Sequence, residues 1–268
     1  MGETVDVRKQ GRRATVVMHR AGNNSIGQDL LDELESAFKE LADDPEVRVV
    51  VLASDYEKYF SVGADLMSLG GSIDRSAPNA EQLYAEMGAR LNGAFFAIES
   101  CPKPVIARIN GHALGGGCEL SLCCDYRVMV DDGRSLIGQT EVALGIIPGA
   151  GGTQRLPRLV GWAKAVPMLL EGTRLNAKQA EAIGLVSRAV APPEDLDAAV
   201  DELAASFEGA ATYAIALIKD SLRRGAALPV AKGVRIESEN FARAVLSEDA
   251  VAGIMAFLQK SEPDFKGK

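Results

Sequence analysis

Apolar residues along this chain recur at two spacings, one typical of buried strands and one typical of amphipathic helices. The stretches 4–7 and 14–19 flank a polar segment and predict a β-hairpin. Residues 28–41 place apolar side chains at helical spacing, and Pro45 ends this helix because proline disfavours helical geometry in the residue before it. The β-branched run 47–53 predicts a strand that is buried on both faces. The chain therefore opens with a hairpin, a helix and a buried strand.

The pattern changes between the middle and the end of the chain. A helix is predicted from about residue 80 to residue 99, and further buried strands are predicted at 105–109 and 127–130. Strands separated by helices indicate a layered α/β core. Alanine-rich amphipathic stretches then follow without a strand between them, at roughly 194–207, 212–224, 229–246 and 249–260. We expect an α/β core over 1–193 and a helical region over 194–268, which either mediates oligomerisation, the favoured reading, or packs on its own core.

Composition and charge limit the classes of function. The net charge of −8 argues against a nucleic-acid binder, which normally has a basic surface. No apolar run reaches the ~18 residues of a membrane span, and the first residues lack a signal-peptide core, so the cytoplasm is the expected location. The four cysteines match no zinc spacing and are expected to be buried and reduced.

Two glutamates stand beside glycine-rich turns and form the candidate catalytic pair. Glu119 follows the glycine run Gly115–Gly117, and Glu141 precedes the glycine-rich segment 148–152. They lie 22 positions apart (141 minus 119), so only the tertiary fold can bring them together. One carboxylate that accepts a proton and one that donates a proton, beside free backbone N–H groups, suit proton transfer next to a carbonyl.

Two loops supply candidate N–H donors for a negatively charged oxygen. Ala64 stands between Gly63 and Asp65 after a predicted strand, and Gly116 leads into a helix predicted over 118–124. The N-terminus of a helix presents unpaired N–H groups and positive dipole character, so two converging donors would form an oxyanion hole. The alternative is that these glycines only allow tight packing of helix against strand.

Four segments together resemble the enoyl-CoA hydratase/isomerase (crotonase) family, in that family's order and spacing. They are Phe60-Ser-Val-Gly-Ala-Asp-Leu66, Asn110-Gly-His-Ala-Leu-Gly-Gly-Gly-Cys-Glu-Leu120, Cys124-Asp-Tyr-Arg127 and Gly145-Ile-Ile-Pro-Gly-Ala-Gly-Gly-Thr-Gln-Arg-Leu156. The likeness runs from about residue 5 to about residue 260. It implies an α/β fold built as a spiral of β-β-α units, followed by an all-helical C-terminal region.

The resemblance also implies roles for individual residues. Glu119 would activate a water molecule and Glu141 would protonate C2 of a trans-2-enoyl-CoA, giving a 3-hydroxyacyl-CoA as in fatty-acid β-oxidation. The N–H groups of Ala64 and Gly116 would bind the thioester oxygen, and Gly149 would help to hold the water. Coenzyme A, as part of the substrate, would be contacted by Asn24, Val62, Ala64, Asp65, Leu66, Phe257 and Lys260. Neither a metal nor a redox cofactor is implied, and the expected assembly is a homotrimer or a dimer of trimers.

Some positions depart from the family pattern, and two other functions stay open. Met67 stands where a lysine that contacts the CoA phosphates is frequent, and Ala21 and Thr140 each stand where proline is frequent. One alternative is a Δ3,Δ2-enoyl-CoA isomerase, which needs only one of the two carboxylates. The other is a non-catalytic acyl-CoA-binding member of the fold. Retention of both glutamates favours hydration, and the acyl length and branching would depend on the region 67–87.

Overall fold

The structure of the chain, a computed structural model, describes residues 2–65, 74 and 76–268. Its strands, numbered in chain order, are β1 (Val5–Gln10), β2 (Arg13–Met18), β3 (Val49–Ser54), β4 (Tyr59–Ser61), β5 (Val105–Ile109), β6 (His112–Leu114), β7 (Tyr126–Val130), β8 (Ile137–Gly138), β9 (Arg174–Leu175) and β10 (Arg188–Val190). Its α-helices are α1 (Gln28–Asp43), α2 (Ala80–Glu99), α3 (Gly116–Leu122), α4 (Gly152–Val160), α5 (Trp162–Leu170), α6 (Ala177–Ala182), α7 (Leu196–Glu208), α8 (Thr212–Gly225), α9 (Val230–Val245) and α10 (Glu248–Gln259). Short 3-10 helices cover Glu141–Leu144 and Pro193–Asp195.

The strands form two sheets. The larger sheet has the order β1-β2-β3-β5-β7-β10, with β1 and β2 antiparallel and the other neighbours parallel. The smaller sheet has the order β4-β6-β8-β9, and only β8 and β9 are antiparallel in it. The pairs β3/β4, β5/β6 and β7/β8 each place one strand in each sheet before the chain enters a helix. This repetition is the spiral of β-β-α units that the resemblance implies.

Strand β3 shows how the larger sheet is buried on both faces. All six of its residues are buried, as the β-branched run predicts. Because side chains alternate along a strand, Val50 and Leu52 join the apolar cluster that includes α1 and α2, whereas Val49 and Val51 join the cluster that includes α7. Each fully buried aliphatic side chain contributes roughly 1.5–3 kcal/mol. Helix α7, the first of the C-terminal helices, therefore covers one face of the sheet, and the division between residues 193 and 194 stays a prediction.

The long elements lie where the sequence pattern predicts them. The hairpin of β1 and β2 and the helix over 80–99 are confirmed, and the strand over 105–109 is found with the same bounds. The four C-terminal helices begin and end within two residues of the predicted positions. The pattern missed the short strands β4, β6, β8, β9 and β10 because two or three residues show no alternation, and it also missed α4, α5 and α6. Helix α3 begins at Gly116, two residues earlier than predicted.

The four cysteines are buried and free, as predicted; they are Cys101, Cys118, Cys123 and Cys124. Burial raises the pKa of each thiol. Since the thiolate is the reactive form, these cysteines stay neutral and act as small apolar side chains of the core.

The last helices expose large apolar side chains. Phe241 on α9 and Phe257 on α10 are exposed, together with Leu246 between these helices. Exposed apolar surface of this kind is typical of protein–protein contacts, so it agrees with the expected trimer, which stays a prediction. None of the helices in the described ranges is both long enough and apolar enough to cross a membrane.

Candidate active site

The glycine run Gly115–Gly117 at the start of α3 brings this helix close to β4 and to Glu141. Gly115 has a φ of 53°, in the left-handed region that favours glycine, and a Cβ there would lie 3.0 Å from Oε1 of Glu141. A Cβ on Gly117 would overlap with the backbone oxygen of Ser61 at the end of β4. Glycine at these two positions therefore lets α3 start directly against β4 and the Glu141 carboxylate.

The backbone N–H groups of Ala64 and Gly116 form the candidate oxyanion hole. The loop that carries Ala64 is held on both sides, because Ile26 N–H donates to Gly63 O at 2.7 Å and Asp65 N–H donates to Ile26 O at 3.0 Å. A Cβ on Gly116 would lie 3.4 Å from Ala64 N, so the two amides are close neighbours. Neither amide donates a hydrogen bond to any part of the chain that the structure describes. Two adjacent free donors at a cavity are what a developing oxyanion requires.

Glu119 lies in the first turn of α3 and is only 2% exposed. Its Oε1 accepts hydrogen bonds from Ala150 N–H at 2.8 Å and from Gly152 N–H at 2.7 Å. Burial raises the pKa of Glu119 to about 7, and the nearby Glu141 adds to this, while the two N–H donors and Arg155 oppose it. A carboxyl group with a pKa near neutral can both accept and release a proton at physiological pH.

Glu141 opens the first 3-10 helix and is 8% exposed. Burial raises the pKa of its carboxyl group, which favours the protonated form. The buried Gln139 lies beside Glu141. In the amide orientation that gives hydrogen-bond partners to both its oxygen and its nitrogen, the Gln139 nitrogen lies 3.2 Å from each carboxylate oxygen of Glu141. The sequence analysis missed Gln139, although a polar residue at the end of a buried strand is a signal that could have identified it.

Both glutamates, Ala64 and Gly116 line one cavity of about 680 Å³. Gly149 lines the same cavity. The rest of the wall is mostly apolar and comes from α2 and from the loop after the first 3-10 helix: Tyr84, Ala85, Met87, Gly88, Leu91, Phe95, Ile146 and Ile147. A small polar end beside an apolar chamber is the usual form of a small-molecule site. The wall therefore extends along α2 to Phe95, beyond the predicted region 67–87.

The wall residues on α2 also illustrate why the sequence analysis did not find them. Tyr84, Gly88, Leu91 and Phe95 recur every three or four positions, which places them on one face of the helix. An apolar helix face predicts a core contact and a pocket wall equally well. Only the space in front of this face in the structure separates the two.

The residues predicted to contact coenzyme A around the oxyanion loop occupy different environments. Ala64 lines the cavity. Val62 and Asp65 lie in the same loop as Ala64 and are half-buried. Asn24 is fully buried, and its amide nitrogen donates to Met18 O, Ser54 Oγ and Phe60 O. Its side chain therefore supports the loop from inside. Leu66 and Met67 lie outside the described residues.

The two predicted C-terminal contacts lie on the exposed surface. Phe257 on α10 is 84% exposed, and Lys260, which follows this helix, is exposed with a φ of 54°. Neither lines the cavity that the described residues of one chain form. A role for them in binding the coenzyme A of a second subunit would agree with the homotrimer that the resemblance implies.

Nδ1 of His112 accepts a hydrogen bond from Leu136 N–H at 3.1 Å, so this histidine has a structural partner. No group of three or more His, Cys, Asp or Glu side chains among the described residues is arranged to hold a metal ion.

The spiral of β-β-α units, with two buried carboxylates beside free amides in one cavity, is the arrangement of the crotonase fold. Comparison with known proteins agrees with this fold over nearly the whole length of the chain. Residues 9–268 match the family model described as Enoyl-CoA hydratase/isomerase, and the chain belongs to this family.

Individual relatives cover almost the same length. The chain is 36% identical to the Crotonyl-CoA hydratase of Syntrophomonas wolfei subsp. wolfei, over 99% of each protein. It is also 36% identical to the Short-chain-enoyl-CoA hydratase of Clostridium acetobutylicum, over 96% of this chain and 95% of the relative. A solved structure of an enoyl-CoA hydratase from Geobacillus kaustophilus HTA426 superposes with a TM-score of 0.92 at 34% identity, covering 100% of this chain and 98% of that one. The family and the fold class expected from the sequence are therefore confirmed.

Proposed function

We propose that the protein adds water to trans-2-enoyl-CoA thioesters and forms 3-hydroxyacyl-CoA. The observation that carries the proposal is that two buried glutamates and two free backbone amides line one cavity. The names of the relatives from Syntrophomonas wolfei and Clostridium acetobutylicum support the same reaction class.

The thioester oxygen would sit between the N–H groups of Ala64 and Gly116. Attack of water on C3 moves electron density through C2 onto this oxygen and creates enolate charge. Donors that are already in place stabilise this charge without reorganisation, and each is worth about 2.7–4 kcal/mol in measured oxyanion holes. The acyl chain would extend along the apolar wall that α2 provides.

The two glutamates would divide the proton transfers between them. Ionised Glu119 takes one proton from the water whose oxygen bonds to C3, with Gly149 beside that water. Protonated Glu141 gives its proton to C2, so that H and OH have been added across the double bond. Burial raises the pKa of Glu141, which favours the protonated form that an acid needs, whereas the two N–H donors on Glu119 favour its ionised form. Proton exchange with solvent then restores both groups.

Crotonyl-CoA hydration by the wild type, Glu119→Gln and Glu141→Gln tests the proposal. Each variant should lose about 10²–10⁴-fold in kcat, because positioned acid–base groups contribute rate factors of this size. Glu46→Gln, a change at an exposed residue far along the chain from both glutamates, is the matched control. Full activity in either active-site variant would contradict the mechanism. Product analysis in deuterated water separates hydration from double-bond isomerisation.

A further inference from the structure

The turn that holds Glu119 is itself held from its other side by a charged pair. The carbonyl oxygen of Ala150 accepts a hydrogen bond from Nη1 of Arg155 at 2.7 Å. The same guanidinium donates to Glu99 on α2, from Nε to Oε1 at 3.2 Å and from Nη2 to Oε2 at 2.8 Å. It also lies over the Phe96 ring, with its central carbon 5.4 Å from the ring centroid.

The surroundings of Arg155 restrict it to this one position. A Cβ on Gly151 would overlap with Nη1 of Arg155, and Gly151 has a φ of 97°, so glycine provides both the conformation and the room for the guanidinium. A fork-to-fork pair of arginine and carboxylate fixes the direction of the side chain as well as its position. The Arg155 side chain is only 12% exposed, and Glu99 is 32% exposed. The pair is therefore shielded enough to act as a fixed support.

A second contact from α2 reaches the same turn. Nδ2 of Asn92 donates to the carbonyl oxygen of Gly149 at 3.3 Å. Helix α2 thus holds two successive carbonyl groups of the turn, through Asn92 directly and through Glu99 by way of Arg155. Neither Glu99 nor Arg155 lines the cavity that contains the glutamates.

We propose that Glu99 and Arg155 are positioning residues for Glu119. Along the backbone, the Ala150 carbonyl lies between the two N–H groups, of Ala150 and Gly152, that donate to Glu119. Arg155 thereby holds in place the peptide group that lies between the two donors, and the guanidinium charge favours the ionised carboxylate. This inference rests on the proposed function in one respect, because it takes Glu119 to be the base.

The charged groups around Glu119 set the expected direction of the effect. Glu141 from the 3-10 helix opposes ionisation of Glu119, and Arg155 from α4 favours it, while Cys118 and Cys123 on its own helix stay neutral. Removal of the guanidinium therefore raises the pKa of Glu119 further. Since the base must be ionised to act, the acid limb of the pH–rate profile moves to higher pH.

The test compares Arg155→Met, Arg155→Lys and Glu99→Gln with the wild type in crotonyl-CoA hydration. Arg155→Met should lose about 10–100-fold in kcat, the range expected when a catalytic group is displaced by less than about 1 Å, with KM changed less than about threefold. Its acid limb should move to higher pH. Arg155→Lys keeps the positive charge but loses the paired hydrogen bonds to Glu99. Its acid limb should therefore lie near that of the wild type, while its kcat should recover only in part. Arg158→Met, on the exposed side of the same helix, is the matched control.

A second readout is independent of turnover. The ionisation of Glu119 can be followed in each folded variant by carbon-13 NMR of labelled glutamate carboxyl groups, with Glu119→Gln used to assign the signal. We expect the midpoint to rise in Arg155→Met and to return toward the wild-type value in Arg155→Lys. An unchanged midpoint together with an unchanged kcat would overturn the positioning role. Absence of hydration by the wild type would instead overturn the proposed function, while the NMR midpoint would still test the role of Arg155.

Discussion

Replacement of Glu119 by glutamine should stabilise the folded protein above neutral pH while it removes the proposed hydratase activity. The substitution keeps the shape of the side chain and retains an oxygen to accept the Ala150 and Gly152 N–H groups. It removes the charge that the almost fully buried Glu119 carries in its proposed role as the base. A catalytic group that is costly to ionise in the folded state is a known source of conflict between stability and activity.

The size of this effect follows from the pKa of Glu119. Its ordinary value is 4.5, and in the folded protein it is about 7. Between these two values the folded state binds more protons than the unfolded state, so the stability of the wild type falls as the pH rises through this window. At about 1.4 kcal/mol per pH unit, the loss amounts to roughly 3 kcal/mol once the pH exceeds 7. Glutamine does not titrate, so Glu119→Gln does not lose this stability.

Urea unfolding of both proteins from about pH 4.5 to about pH 9 measures the effect. Protein concentration must be held constant, because subunit association would also contribute to apparent stability. The difference in the free energy of unfolding should grow by roughly 3 kcal/mol across the window and then level off. The exposed control Glu46→Gln should show no such growth. A difference between Glu119→Gln and wild type that stays constant over the whole pH range would refute the reasoning.

Three further predictions concern the pocket, the packing and the acid. A Cβ on Gly88 would meet no atom of the described residues within 4 Å, so Gly88→Leu should fill part of the acyl chamber. For long enoyl-CoA substrates, but not for crotonyl-CoA, kcat/KM should then fall about fourfold for each methylene displaced, with the exposed Ala89→Leu as the control. Gly117→Ala forces a Cβ into the backbone oxygen of Ser61 and should lower the free energy of unfolding by about 1–3 kcal/mol in urea titrations. Unchanged stability would contradict this packing. Gln139→Leu removes the amide beside Glu141 and should raise the pKa of that carboxyl group. The alkaline limb of the pH profile of kcat should then extend to higher pH. An unchanged alkaline limb would show that this contact does not influence the acid.

Local patterns in the sequence were sufficient for the long elements. The apolar run of β3, the helical spacing in α1 and the amphipathic stretches of α7 to α10 all carry their signal within a few neighbouring residues. The motifs around Glu119 and Glu141 could also be recognised from the sequence, because glycine-rich turns of fixed spacing next to a carboxylate are rare. The sequence alone therefore determined the fold class, the family resemblance and the candidate catalytic pair.

The tertiary structure decided how these parts meet. Glu119 takes its two N–H donors from positions 31 and 33 residues further along the chain, a separation that no local pattern can encode. The same holds for Glu99 and Arg155, which lie 56 positions apart, and for the wall of α2 opposite the glutamates. Burial, and with it the pKa of each carboxyl, depends on everything packed around the group. The sequence therefore identifies the two glutamates, whereas their burial, their partners and their pKa values depend on the folded chain.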